Sequence, residues 1–206
     1  MINYVIAVNN FDILSKNFGH MLPDESIILQ RNFFNIPKAY NEAIKKCEKE
    51  YICFLHQDVF LPDVWWQRVL EQIKLLPEDW GVIGVAGVAI KKNEKLFLGN
   101  ILDRGCEWGN ADGLPVEVET LDELLLLVKN DNTLSFDQGV GNHFYGADLC
   151  MQSRLQGKKC YAIKAYCHHN SIHGSDVPPD FWESFQYMRK KYKDMLPIPT
   201  TCTIVQ

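Results

Sequence analysis

Short apolar runs alternate along the first half of the chain with stretches whose apolar residues recur at helical spacing. Residues 4–8 (YVIAV) are an unbroken apolar run and predict a buried strand, with Asn9 and Asn10 at its carboxyl end. Residues 11–24 are mixed and predict a loop, and 26–30 predict a second strand. A helix is expected over 37–50. Asn35 can cap it, Pro37 suits its first turn, and Ala39, Tyr40, Ala43, Ile44 and Cys47 share one face. Residues 51–55 (YICFL) predict a third buried strand, and 62–76 a helix with Trp65, Val69, Ile73 and Leu76 on one stripe. Residues 82–88 (VIGVAGV) predict a further strand whose glycines allow close packing. The order β-β-α-β-α-β argues for an α/β protein, with a mostly parallel sheet covered by helices.

The pattern changes after residue 90. Residues 91–115 are polar, carry Gly99, Gly105, Gly109 and Gly113, and show no clear period, which predicts a long functional or mobile loop. Strands are expected at 116–118 and 124–129, a loop over 130–142, and a short helix over 147–156 closed by Gly157. A last strand at 159–165 precedes an amphipathic helix over 179–193, with Phe181, Phe185, Met188 and Tyr192 on one face. There is no internal repeat. One domain accounts for the chain, with a nucleotide-sized half over about residues 1–90 and a less regular half over about 91–206.

Composition narrows the classes. The chain has 206 residues, 47% hydrophobic and 23% charged, enough to bury a full core. Its net charge of −5 includes no conspicuous basic run, which argues against nucleic acid as a main partner. The seven cysteines are scattered without a CxxC pair, which suits a reducing cytosol better than a disulfide framework. The N-terminus lacks the basic region of a signal peptide, and the longest apolar block, 124–128, is far too short to span a bilayer. A cytoplasmic chain with no transmembrane segment is expected, any membrane role being peripheral.

Three polar clusters carry candidate chemistry. His56, Gln57 and Asp58 end the third strand abruptly, where open α/β sheets bind their ligands, so Asp58 could hold a cation or a polar group. A plain turn explains Asp58 and Pro62, but not His56 and Gln57 directly after a buried strand. Residues 143–148 (HFYGAD) put Asp148 in the first turn of a helix, where free N–H groups stabilise an anion. Spacing alone favours a simple helix-start role for it. Residues 167–173 (CHHNSIH) hold three of the six histidines just after a strand, which suggests a metal or phosphate site. His169 and His173 stand four apart, but the residues between them are not helix-like, so a zinc reading is weak.

Taken in order, these features resemble the family 2 glycosyltransferases of the GT-A fold, and among them a branch carrying HQD where most members carry Asp-x-Asp. The signposts are Ala39-Tyr40-Asn41, FLHQDVFLP, WGVIGVAGV, VETLDELLLLVK, SFDQ, HFYGADLC and HHNS, spread from about residue 4 to 197. Their joint order carries the resemblance, since no one of them is specific. It implies a Rossmann-like nucleotide-diphospho-sugar transferase fold, with a mixed, mostly parallel sheet flanked by helices. The implied activity is hexosyl transfer from a nucleotide-sugar to an acceptor hydroxyl, with inversion.

The resemblance also implies residue roles. Asp58 would hold a divalent cation, Mn²⁺ or Mg²⁺, with His168 or His169 completing the site. Asp148 would be the general base. Val8, Asn9, Asn10, Asn41, His56 and Gln57 would line the nucleotide-sugar pocket, with a UDP-sugar as the default donor. Trp108, His143 and Tyr145 would lie on the acceptor side, the acceptor being a glycan (as in polysaccharide biosynthesis), a protein-linked sugar or a small molecule. His56 stands where the motif has its first carboxylate, so this site carries one carboxylate fewer. Two rivals differ in kind. A sugar-phosphate nucleotidyltransferase needs a glycine-rich basic loop after the first strand, where this chain has NNFDILSKN. A catalytically silent nucleotide-sugar or carbohydrate-binding scaffold is compatible with the lone carboxylate of HQD.

Overall fold

The structure is a computed structural model that describes residues 1–18, 26–171 and 177–206. The chain begins with β1 (Ile2–Val8), α1 (Phe11–Phe18), β2 (Ile27–Arg31), α2 (Ile36–Ile44), β3 (Tyr51–Leu55), β4 (Val59–Phe60), α3 (Trp65–Ile73) and β5 (Trp80–Gly84). Short strands follow: β6 (Ala86–Lys91), β7 (Glu94–Gly99), β8 (Ile101–Asp103), β9 (Cys106–Trp108), β10 (Val116–Val118), β11 (Thr120–Leu121) and β12 (Leu125–Lys129). A 3-10 turn at Gln138–Val140 precedes α4 (Tyr145–Leu155), β13 (Lys159–Ala162), β14 (Cys167–His169) and α5 (Pro179–Lys191). The hairpin β15 (Ile198–Pro199) and β16 (Ile204–Val205) comes last.

Among the described residues the central sheet has seven strands, in the order β10-β13-β5-β12-β3-β1-β2. The pairs β1–β2, β1–β3 and β5–β13 are parallel, while β12 runs antiparallel between β3 and β5, and β10 antiparallel to β13. Five strands therefore point one way, and β1, β2 and β3 end along one edge. The expected mixed, mostly parallel sheet flanked by helices is present. Strand β3 buries side chains on both faces, as its unbroken apolar run requires. Ile52 and Phe54 pack with Tyr40 and Val82, while Cys53 and Leu55 pack with Tyr4 and Trp65.

A second sheet, in the order β4-β14-β8-β9, stands beyond the end of β3. Strand β14 pairs antiparallel with β4 and parallel with β8, which sets His169 opposite both Val59 and Asp103. This register delivers a residue from late in the chain to the HQD turn. The amide of Asn170 locks it by donating to the Asp58 carbonyl at 2.9 Å.

Four expectations are corrected. Residues 11–18 form helix α1, because Asn10 Oδ1 accepts from the amides of Asp12 (3.0 Å) and Ile13 (3.2 Å) and caps it; residues 19–24 of the expected loop lie outside the described residues. Helix α2, capped by Asn35 as expected, stops at Ile44, and Asn3 Oδ1 draws in the amides of Glu48 and Lys49 at 3.2 and 3.0 Å. The run 82–88 divides between β5 and β6, which belong to different sheets. A Cβ at Gly87 would lie 2.7 Å from the Thr120 carbonyl, so the crossing needs glycine. Finally, 91–115 contains β7, β8 and β9, strands of three to six residues whose burial does not alternate and which therefore leave no clear period.

Candidate active site

The site begins where β1 and β3 end together. Gln57 Oε1 accepts from the amides of Asn9 (3.2 Å) and Asn10 (3.0 Å), and its Nε2 donates to Asn9 Oδ1 at 2.5 Å. One side chain thus clamps two parallel strand ends. They form a wall of a ≈ 360 Å³ cavity lined by Val8, Asn9, Asn10, Gln30, Gln57 and Asp58. Asn41, expected there, is used elsewhere: its Nδ2 donates to the Phe136 carbonyl at 2.7 Å and its Oδ1 accepts the Phe136 amide at 2.9 Å. It holds the segment after β12 against α2.

At the HQD turn, His56, Asp58 and His169 bring ligand atoms within 4.8 Å of one another. His169 Nε2 lies 3.5 Å from Asp58 Oδ1, and its Nδ1 lies 3.4 Å from Asp103 Oδ1. Asp103 Oδ1 also accepts from the Ser171 hydroxyl at 3.0 Å. His56 Nε2 is 2.8 Å from the hydroxyl of Tyr145. Asp58 Oδ1 is buried and has no hydrogen-bond partner. A buried carboxylate oxygen left unpaired is costly unless something positive completes it. One carboxylate and two imidazoles are also a donor set that divalent metals accept. The residues present therefore fit a divalent cation.

The electrostatics agree. Burial acts to raise the Asp58 pKa, but His169 and His56 outweigh it and hold the carboxyl below its ordinary range. Burial acts to lower the pKa of His169, but Asp58 above all, with Asp122 and Asp103, raises it. In His56 burial and the neighbouring His169 lower the pKa. His168, offered with His169 as a metal ligand, points to the other face of β14, because successive strand residues alternate. Its ring packs on Phe60 (5.2 Å between centroids) and Tyr166 (5.1 Å). The geometry brings His169 to Asp58 and leaves His168 out. His173 lies outside the described residues.

Beyond His56 the cleft widens. A ≈ 1060 Å³ cavity shares Val8, Asn9 and His56 with the first and reaches Glu123, His143 and Pro178. A ≈ 540 Å³ cavity shares Glu123 and His143 with it and is walled by Trp108, Phe144, Phe181 and Thr201. Trp108 and His143 therefore line the far end of one continuous groove. Tyr145 is 1% exposed and serves through its hydroxyl, which holds His56.

Asp148 is not in that groove. It sits in the first turn of α4, 1% exposed, with both oxygens committed. Oδ1 accepts from Lys191 Nζ at 2.5 Å and the Tyr192 hydroxyl at 2.7 Å, and Oδ2 from Gln152 Nε2 at 2.7 Å. Lys191 continues to Asp137 at 2.7 Å. Asp148 is therefore placed as an interior tie between α4 and the end of α5, away from the groove where a base was expected.

A different carboxylate occupies the groove. Glu123, on the turn between β11 and β12, is half-buried and lines both larger cavities. Burial and the neighbouring Asp122 push its carboxyl up to about 8, against the pull of the Gly146, Phe144 and Tyr145 amides at the start of α4. Gly146 makes this approach feasible, since a Cβ there would meet Glu123 Cγ at 2.9 Å. Neither Glu123 nor Asp103 was singled out from the sequence. Glu123 lay unremarked within VETLDELLLLVK, and Asp103 within the stretch read as loop.

The model of a glycosyltransferase-like family matches residues 24–178. The chain belongs to that family. A protein of Fuscovulum blasticum named "ATP synthase subunits region ORF 6" is 31% identical over 202 residues, covering 91% of this chain and 80% of that protein. The crystal structure of Staphylococcus aureus TarS 1–349 in complex with UDP-GlcNAc superposes with a TM-score of 0.56 at 13% identity, over 92% of this chain and 66% of that one. A longer TarS structure gives a TM-score of 0.54 at 13% identity, over 92% of this chain and 39% of that one. This chain thus spans less than two thirds of either structure, and the likeness establishes the GT-A-type fold. Among the described residues no helix is long and apolar enough to cross a membrane.

Proposed function

We propose that this protein transfers a hexose from a nucleoside-diphosphate sugar to an acceptor hydroxyl, with inversion, using a divalent cation held by Asp58, His169 and His56. The observation that carries this reading is the buried Asp58 oxygen that accepts no hydrogen bond and stands with two imidazoles at the edge of a cavity where β1 and β3 end. Two nitrogen donors and one carboxylate suit Mn²⁺ better than Mg²⁺, which prefers oxygen ligands. When bound, the cation supplies neutralisation of the charge on a leaving diphosphate. The chain's residues do the positioning. Asp103 holds His169 with Nε2 toward Asp58, Tyr145 holds His56, and Gln57 fixes the Asn9 and Asn10 turn. The donor belongs in the half formed by about residues 1–90 and the acceptor in the half formed by about 91–206, with Asp103 and His169 lent across.

The TarS complex holds UDP-GlcNAc, which makes a uridine donor the first to test. Gln30 supports that choice. It is 4% exposed, lines the smaller cavity, and its Nε2 has no partner. A carboxamide offers one donor and one acceptor edge, the complement of the imide edge of uracil. Gln30→Leu should weaken UDP binding about tenfold, the scale of one lost hydrogen bond at ~1.4 kcal/mol, without lowering stability. Calorimetry with UDP and Mn²⁺ checks it, and unchanged affinity would remove Gln30 from base recognition.

Thermal-shift screening of nucleotide-sugars tests the reading as a whole, since a ligand that binds only the folded state raises its apparent stability. A UDP-sugar should raise the melting temperature with Mn²⁺ present and much less without it. The cation must also displace a proton from His169, whose pKa is raised. Mn²⁺ affinity should therefore fall as the pH drops from about 8 to about 6, below the ordinary imidazole value of about 6.5. Affinity unchanged over that range would exclude His169 as a ligand.

A further inference from the structure

We propose that Glu123 is the general base of the transfer, taking the proton of the acceptor hydroxyl; this rests on the transfer reading above. Glu123 lines both larger cavities of the groove, one of which shares Val8, Asn9 and His56 with the cavity at the strand ends and the other of which reaches Trp108. The other nearby carboxylates are committed. Asp148 is tied to Lys191, Tyr192 and Gln152. Asp122 accepts from the Thr201 hydroxyl at 2.6 Å and the Leu124 amide at 3.0 Å. Asp137 accepts from Lys191, Tyr187 and the Gly139 amide. Among the described residues no side chain bonds to the Glu123 carboxylate, which meets only the backbone amides at the start of α4. A glycine at 146 leaves the start of α4 bare, and the Glu123 side chain fills that space from the neighbouring turn. The α4 helix thus receives its cleft-side carboxylate from another element.

The step balances without an added reagent. The acceptor oxygen bonds to the anomeric carbon as the bond from that carbon to the diphosphate oxygen breaks, its electron pair leaving with the diphosphate. The hydroxyl proton passes to Glu123 and then to solvent. The groups around Glu123 are Asp122 on its own turn, Tyr40 on α2, His56 after β3, His143 and Tyr145 at the start of α4, and Cys202 near the C-terminus. Burial above all, with Asp122, raises its carboxyl against the pull of the amides at the start of α4, toward the working pH where a general base is effective.

The test uses UDP-sugar hydrolysis with Mn²⁺, in which water takes the acceptor's place, beside donor affinity by calorimetry. Glu123→Gln should hydrolyse donor about 10²-fold more slowly or worse, the usual scale for a general base, while binding it as wild type does. Glu123→Ala should recover part of its rate when formate is added, because formate can enter the space left and accept the proton. Glu123→Gln turning over at the wild-type rate with donor bound would overturn the base assignment and leave the transfer reading standing. Loss of rate in both variants without formate recovery would also overturn it, assigning Glu123 to structure. A wild-type protein that binds no nucleotide-sugar would overturn the transfer reading and this proposal with it.

Discussion

Asp58→Ala should bind UDP in the presence of Mn²⁺ at least about 10²-fold more weakly than wild type, while keeping its fold. Removing a residue that merely orients a metal ligand costs roughly 10–100-fold in affinity, and Asp58 contributes the cluster's only carboxylate among the described residues. The fold should survive because Asp58 Oδ1 makes no hydrogen bond, so its removal costs only the long 3.5 Å ion pair with His169 Nε2. The neighbours predict a graded series. Asp103→Ala should cost about 10–100-fold, since it lets the His169 ring turn. His168→Ala should leave Mn²⁺ affinity unchanged, because its ring lies against Phe60 and Tyr166. Calorimetric titration of Mn²⁺ and UDP into each variant reads the series. Equal losses for His168 and His169 would contradict the register of β14.

Asp148→Ala should instead be a stability variant. Breaking a buried ion pair by removing one partner costs roughly 3–5 kcal/mol. Lys191 retains 26% side-chain exposure and its bond to Asp137, which argues for about 3 kcal/mol. For a chain of this length that lowers the melting temperature by about 6–12 °C. Donor affinity, measured well below the transition, should be unchanged. An Asp148→Ala protein that melts like wild type but no longer turns over donor would return the base role to Asp148.

The central sheet was legible because each buried strand announces itself as an apolar run, and YICFL stops so abruptly at His56 that the site's location could be read directly. The assembly around that turn was not legible. His169 reaches Asp58 only because β14 pairs with both β4 and β8, strands of two or three residues that leave no periodic trace. The choice between His168 and His169 depends on which face of β14 each occupies. Asp148 shows the limit of position alone. Its place in the first turn of α4 was readable, but the direction of its side chain is set by Lys191, 43 residues later. Asn41 and Asn10 had the same ambiguity. An amide near a pocket reads as a ligand contact until the backbone it caps is known. The cap that Asn10 makes was the missed sign of α1.

The central claim is metal-assisted chemistry on a nucleotide-sugar in the Asp58 cleft. Its most direct measurement is release of nucleoside diphosphate from a panel of nucleotide-sugars, comparing wild type with Asp58→Ala, with Mn²⁺ and with chelator. The account predicts that at least one donor, first among them a UDP-sugar, is turned over by wild type with Mn²⁺, and that chelator or Asp58→Ala stops it. Donor binding without any turnover would indicate a binding scaffold, and turnover that persists in both chelator and Asp58→Ala would contradict the account.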